Sequence, residues 1–200
     1  MRMFVAVIPP DPVIEDLEEF LAPRREAAPF RWTLPEQWHL TLAFMEHVPD
    51  RAYDGLVDRL AAAASRREPL RARIRGGGAF PHPGRAKVLH AGVETDLDEL
   101  ARIATGARNA ATTAGVEVDG QRFRPHVTLA RMRRPVEATR WVRLLDAYSG
   151  MPWMVEAIAL VESHLGEGAR RRPRHAVRET FSLGLAGSGP GPAAAPPHGR

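Results

Sequence analysis

Arg31-Trp32-Thr33-Leu34-Pro35-Glu36-Gln37-Trp38-His39-Leu40-Thr41-Leu42-Ala43-Phe44 is echoed, almost a hundred residues later, by Phe123-Arg124-Pro125-His126-Val127-Thr128-Leu129-Ala130-Arg131. Each stretch has an aromatic residue and an arginine upstream, then His, an apolar residue, Thr, Leu and Ala. On an extended chain residues i and i+2 project from the same face, so His39 stands beside Thr41 and His126 beside Thr128, with Leu40, Leu42, Val127 and Leu129 packing behind. With 8 His, 9 Thr and 44% hydrophobic residues in 200 positions, a His-apolar-Thr-apolar tetrad arises roughly 0.07 times by chance. Two copies in corresponding places therefore read as an internal repeat, and as two halves of one site.

Outward from these stretches the chain alternates. Met3 to Ile8 reads as a buried strand, and Asp11-Pro12 opens a helix carrying Ile14, Leu17, Phe20 and Leu21, with Pro23 and Pro29 marking its end. Trp38 to Phe44 is strand-like, and Tyr53, Leu56, Val57 and Leu60 recur at helical spacing. Leu70 to Arg75 alternates as a strand, Gly76-Gly77-Gly78 is expected to break it, and Val88 to Val93 resumes as its antiparallel neighbour. Leu97, Leu100, Ile103, Ala104 and Ala107 describe a third helix, capped by Thr95 or Asp96 and stopped by Gly115. Pro125 to Arg131 is a strand, Ala138 to Tyr148 a helix, and Met154 to Glu162 and Ala176 to Leu183 two closing strands. This order predicts an α+β protein and not a doubly wound parallel sheet. Residues 1–185 are expected to form one unit, and the Gly-, Pro- and Ala-rich residues 186–200 a disordered tail.

Composition narrows the chemistry. Cysteine is absent, which removes disulfides, thiolate nucleophiles and Cys-based zinc sites. The N-terminal apolar stretch meets Pro9-Pro10 and is too short to cross a membrane or act as a signal, so a cytoplasmic protein without membrane contact is expected. Net charge is +4, and Lys87 is the single lysine, so the basic side is arginine. Its planar fork suits phosphate, although an arginine bias beside abundant Ala, Gly and Pro also follows from a GC-rich genome.

Two imidazoles with two hydroxyls suit the opening of a strained cyclic phosphodiester. One group must take a proton from attacking water and another must protonate the departing oxygen. Histidine does either near neutral pH, and the hydroxyls of Thr41 and Thr128 can donate to nonbridging phosphate oxygens as charge builds. A metal site is disfavoured, since there is no His-Glu-x-x-His helix and no carboxylate within either tetrad. Gly76-Gly77-Gly78 lacks the Gly-Lys-Ser/Thr of a phosphate loop. No metal and no cofactor are expected.

These residues resemble the two-histidine phosphoesterase superfamily and, within it, the RNA 2',3'-cyclic phosphodiesterases historically called 2'-5' RNA ligases. The likeness spans residues 1 to about 185 and includes Met1-Arg2-Met3-Phe4-Val5-Ala6, the approach Arg31 to Glu36, Ala79-Phe80-Pro81-His82-Pro83-Gly84-Arg85 and Phe123-Arg124-Pro125. It implies a bilobal fold, with two pseudo-symmetric lobes, each an antiparallel sheet with outer helices, around a positively lined cleft. It further implies hydrolysis of RNA 2',3'-cyclic phosphate ends to 2'-phosphomonoesters, with minor 2'-5' RNA ligase activity; a monomer is expected. His39 would be the proton donor to the 3' oxygen and His126 the proton acceptor from water. Departures from the family pattern, His90 in place of Trp, Val161 in place of an aromatic and Met45-Glu46 in place of Leu-Gly, leave base preference and substrate identity open.

Arg131 is a further candidate for phosphate binding. Phe44 is weighed between base stacking and core, and Arg170-Arg171-Arg172 between RNA backbone and a solvated turn. His47, His82, His164, His175 and His198 lack the tetrad context and receive no role. Two rival readings stand beside the enzyme: a catalytically silent nucleotide- or RNA-binding module, and a phosphodiesterase for another cyclic phosphate or a 2'-5' oligonucleotide.

Overall fold

The computed structural model describes residues 1–167 and 173–184, so Arg170-Arg171-Arg172 and the 186–200 tail lie outside the described residues. The elements run β1 (Met3–Val7), α1 (Asp11–Arg25), β2 (Arg31–Trp32), β3 (Leu40–Met45), α2 (Asp50–Ser65), β4 (Leu70–Phe80), β5 (Ala86–Thr95), α3 (Leu97–Thr113), β6 (Val127–Val136), α4 (Thr139–Asp146), β7 (Trp153–Val155), β8 (Ala157–His164) and β9 (Arg174–Ser182). Short 3-10 turns at Pro35–Gln37 and Pro83–Arg85 precede β3 and β5. Asp96, not Thr95, caps α3, its carboxylate accepting from the backbone N–H groups of Asp98 and Glu99. Pro23 falls inside α1 and does not end it, since α1 continues to Arg25 while the Arg24 guanidinium bonds the Phe20 carbonyl.

All described strands form one sheet in the order β7-β4-β5-β6-β3-β1-β8-β9, with β2 pairing on β6. The sheet has two halves. β3, β1, β8 and β9 make the first, and β6, β5, β4 and β7 the second, joined where Leu40 pairs with Val127. The lobes expected from the sequence are thus halves of a continuous antiparallel sheet. Each half buries one face under two helices. Leu56 and Leu60 of α2 and Leu100, Ile103 and Ala107 of α3 pack on Val5, Leu42 and Leu160. Val13, Leu17 and Leu21 of α1 and Leu145 of α4 pack on Ile74, Leu89 and Leu129. Apolar burial, worth about 25 cal/mol per Å², stabilises both helix–sheet contacts.

Two strands depart from their expected form. Gly76-Gly77-Gly78 does not break β4, which runs through it with a bulge between Ile74 and Gly77, Gly76 taking φ +72°. Gly77 and Gly78 are small for a packing reason: a Cβ on them would meet Leu145 at 2.4 Å and the His90 ring at 2.6 Å. The expected strand from Met154 to Glu162 is two strands. β7 pairs with β4 at one edge of the sheet while β8 lies between β1 and β9, and the chain crosses between halves at Glu156, whose carbonyl accepts from Leu183.

Candidate active site at the joint of the two halves

The site grows from the Leu40 and Val127 pair. Both side chains are buried, 3% and 1% exposed, so their neighbours on each side turn to the opposite face. Extending this antiparallel register by one residue sets His39 opposite Thr128 and Thr41 opposite His126. The sequence repeat thus becomes a pseudo-twofold square of two imidazoles and two hydroxyls.

Each histidine sits just before its strand, not within it, as β3 begins at Leu40 and β6 at Val127. That offset has a use. The His39 Nδ1 lies 2.7 Å from the Gln37 carbonyl and the His126 Nδ1 2.7 Å from the Arg124 carbonyl, the same i−2 bond in both halves. A carbonyl oxygen can only accept, so Nδ1 carries the proton in each ring and Nε2 is left as the working nitrogen. Gln37 is held in turn by its side chain, which donates to the Pro173 carbonyl ahead of β9.

The rings are packed from behind. His39 stacks on Phe4 at 4.5 Å between centroids, and His175 meets both edge-on, 5.0 Å from Phe4 and 5.4 Å from His39. His126 stands edge-on to Phe80 at 4.9 Å and 5.2 Å from His90. Burial against these rings disfavours the imidazolium, pushing His39 down to about 4, with smaller help from the charges of His175, His126 and Arg131. Burial likewise lowers His126, assisted by Arg131. Both rings therefore favour the neutral form at pH 7.

A second shared irregularity brings in two more side chains. Along β1 and β3 the pairing steps from Ala6↔Thr41 to Val5↔Ala43, and along β5 and β6 from His90↔Thr128 to Leu89↔Ala130. Leu42 and Leu129 are the extra residues of two equivalent bulges, each three positions after its histidine. Leu42 and Ala43, and likewise Leu129 and Ala130, are buried in succession. Phe44 and Arg131 consequently return to the cleft beside Thr41 and Thr128, where strict alternation would have turned them away. Arg131 faces Arg31 across the β2–β6 pair, and partial burial together with that neighbour disfavours its charge. Two guanidiniums held side by side in a cleft favour an anion between them.

All five residues singled out by the sequence, His39, Thr41, His126, Thr128 and Arg131, line this cleft. Phe44 is half-buried in its wall, with the Arg2 guanidinium 4.7 Å from its ring centre. The residues missed were His175, Phe4, Trp32 and Arg31, which reach the cleft from β9, β1 and β2. Sequence spacing carries no signal for His175, because strand order places it there: β9 pairs with β8, setting His175 opposite Ser163. Among the described residues no group of three His, Cys, Asp or Glu side chains converges as a metal cage requires, and no helix is long and apolar enough to cross a membrane.

The family model described as 2'-5' RNA ligase superfamily matches residues 9–167. The chain belongs to this superfamily. A relative from Thermus thermophilus named RNA 2',3'-cyclic phosphodiesterase is 35% identical over 199 residues, covering 92% of this chain and 90% of the relative. One of the same name from Aeropyrum pernix is 36% identical over 117 residues, 58% of this chain and 65% of the relative. Among solved structures, one from Thermus thermophilus superposes with a TM-score of 0.75 at 31% identity, over 94% of this chain and 100% of that one. E. coli LigT in its apo form shares the fold, with a TM-score of 0.73 at 22% identity over 91% and 96% of the two chains. The chain shares with these structures a sheet in two antiparallel halves with helices outside, as the resemblance implied.

Proposed function

We propose that this chain hydrolyses RNA 2',3'-cyclic phosphate ends to 2'-phosphomonoesters in the cytoplasm, as a monomer and without a metal, with 2'-5' bond formation as a lesser reaction of the same site. The observation that carries the reading is the square of His39, Thr128, His126 and Thr41, in which each imidazole is locked by an i−2 carbonyl and offers Nε2. The names of the relatives from Thermus thermophilus and Aeropyrum pernix support the substrate class.

In this reading the cyclic phosphate lies between the histidines, its nonbridging oxygens accepting from Thr41, Thr128 and Arg131. Its negative charge raises the depressed pKa of both rings, and one takes up a proton on binding. His126 Nε2 removes a proton from water as the water oxygen bonds to phosphorus. The P–O3' bond breaks in line with that attack, and His39 Nε2 delivers its proton to the departing 3' oxygen. The product keeps the phosphate on the 2' oxygen, and one proton returns from His126 to His39 through solvent.

The test is the product. An oligoribonucleotide ending in a 2',3'-cyclic phosphate, incubated in EDTA, is expected to give the 2'-phosphomonoester alone. A 3'-phosphate product, or turnover that needs an added divalent metal, would overturn the reading.

A further inference from the structure

The cleft continues past the catalytic square on both sides. Thr41, Phe44, His126, Thr128 and Arg131 are common to two limbs. One, of about 440 Å³, passes His39 toward Phe4, Trp32 and His175. The other, of about 800 Å³, leaves His126 and Phe80 and runs under the segment from Asp119 to Arg124.

We infer that this second limb binds another nucleic-acid strand, the one whose 5' oxygen bonds to phosphorus when a 2'-5' linkage is made and leaves when it is cut. The inference rests on the cyclic-phosphate reading above. In-line displacement puts the entering and departing oxygens on opposite sides of phosphorus, so the two histidines serve opposite sides. His39, which serves the 3' oxygen, lines the first limb, and the ribose bearing the phosphate therefore lies there. His126 serves the other oxygen, and the limb behind it is far larger than water requires, a water molecule taking about 30 Å³.

The lining of that limb is suited to a polyanion with stackable bases. Arg108, Arg122 and Arg124 bring three guanidiniums to it, and among the described residues none of them pairs with a carboxylate side chain. Arg124 lies 5.8 Å from the Phe80 ring centre, and Phe123 adds a second aromatic face. Asp119 is the acid present. Its carboxylate is occupied by the Gln121 N–H at 3.0 Å, its N–H donates to the Phe44 carbonyl at 2.9 Å, and Arg108 donates to its carbonyl. These bonds tie the arginine-bearing segment to β3 and α3, so the limb is a built wall.

The chemistry balances. The 5'-hydroxyl oxygen bonds to phosphorus, His126 takes its proton, the P–O3' bond breaks and His39 protonates O3', leaving a 2'-5' diester and a 3'-hydroxyl. Cutting is the reverse. Hydrolysis with water as nucleophile does not use the limb.

Wild type, Arg122→Ala and Arg122→Glu are compared on three substrates: a 2',3'-cyclic mononucleotide, an oligoribonucleotide with a cyclic phosphate end, and an oligoribonucleotide with one 2'-5' linkage. The expected result is a fall of about tenfold or more in 2'-5' cleavage, larger for Glu than Ala, with both cyclic substrates within about threefold of wild type. Retained mononucleotide hydrolysis also reports an intact fold. Loss on the oligonucleotide cyclic phosphate but not on the mononucleotide would mean that the limb holds the donor strand, and would overturn the inference. So would equal 2'-5' cleavage in all three proteins, or a wild type that opens cyclic phosphates but never cleaves a 2'-5' bond. A wild type that opens no cyclic phosphate refutes the proposed function itself, and the inference falls with it.

Discussion

Leu40 and Val127 are the register partners through which β3 and β6 join the two halves of the sheet. Each immediately follows a histidine, so the seam between the halves and the proposed reacting centre are the same place. In the proposed mechanism, chemistry that needs two groups on opposite sides of one phosphorus draws on two copies of one local structure, brought face to face where Leu40 pairs with Val127.

The threonines are expected to act in the transition state. Thr41→Val and Thr128→Val keep shape and remove a hydroxyl, and each should lower kcat on the order of 10²-fold with little change in KM. Steady-state kinetics on a cyclic mononucleotide check this. A rise in KM at constant kcat would assign these hydroxyls to ground-state binding instead.

Arg131 lines the cleft and is proposed to offer its planar fork to the phosphate. Arg131→Ala should cost about 10- to 100-fold in kcat/KM, and Arg131→Lys should recover part of it, since lysine restores charge but not two parallel donors. Full activity in Arg131→Ala would remove this residue from the site.

The pH dependence follows from burial. In the proposed mechanism the competent form has one imidazole protonated and the other neutral, and burial holds both groups below the ordinary histidine value in the substrate-free protein, His39 at about 4. The profile of kcat/KM should therefore peak below pH 6.5 and fall about tenfold per pH unit above it. At saturation the substrate anion favours the protonated rings, so the alkaline limb of kcat should move to higher pH. A kcat/KM that climbs from pH 6 to 8 would contradict the account. The same shift bears on stability. The unfolded chain binds a proton near 6.5 and folded His39 only near 4, so stability is full above 6.5 and declines as pH falls through that window.

Gly78 and His90 are coupled by space. A Cβ at Gly78 would lie 2.6 Å from the His90 ring, so Gly78→Ala should destabilise by about 1–3 kcal/mol. Adding His90→Ala should recover most of that loss. Urea midpoints for the two singles and the double measure the coupling, and strict additivity would show that the ring does not fill this space.

Much of this was legible in the chain because period-two alternation fixes which side chains share a face, and a repeated His-apolar-Thr-apolar tetrad is hard to obtain by accident. The illegible parts have physical causes. The bulges at Leu42 and Leu129 leave no mark in hydrophobic pattern, since two buried residues in succession look like ordinary core, yet they decide that Phe44 and Arg131 face the cleft. Strand order is equally silent, and it alone brings His175 from β9 to His39. The glycines at 76 to 78 read as a strand end, whereas Gly77 and Gly78 are small because of Leu145 and His90, residues distant in sequence, and Gly76 takes a positive φ at the bulge.

His39 and His126 are expected to work as one unit across the seam. This coupling is tested most directly by single-turnover rates in EDTA for His39→Ala, His126→Ala and the double variant on an RNA 2',3'-cyclic phosphate. Groups acting in one concerted step should each cost about 10²- to 10⁴-fold, and the double variant should be no slower than the slower single. Losses that multiply in the double variant, or a single variant within tenfold of wild type, would contradict the account.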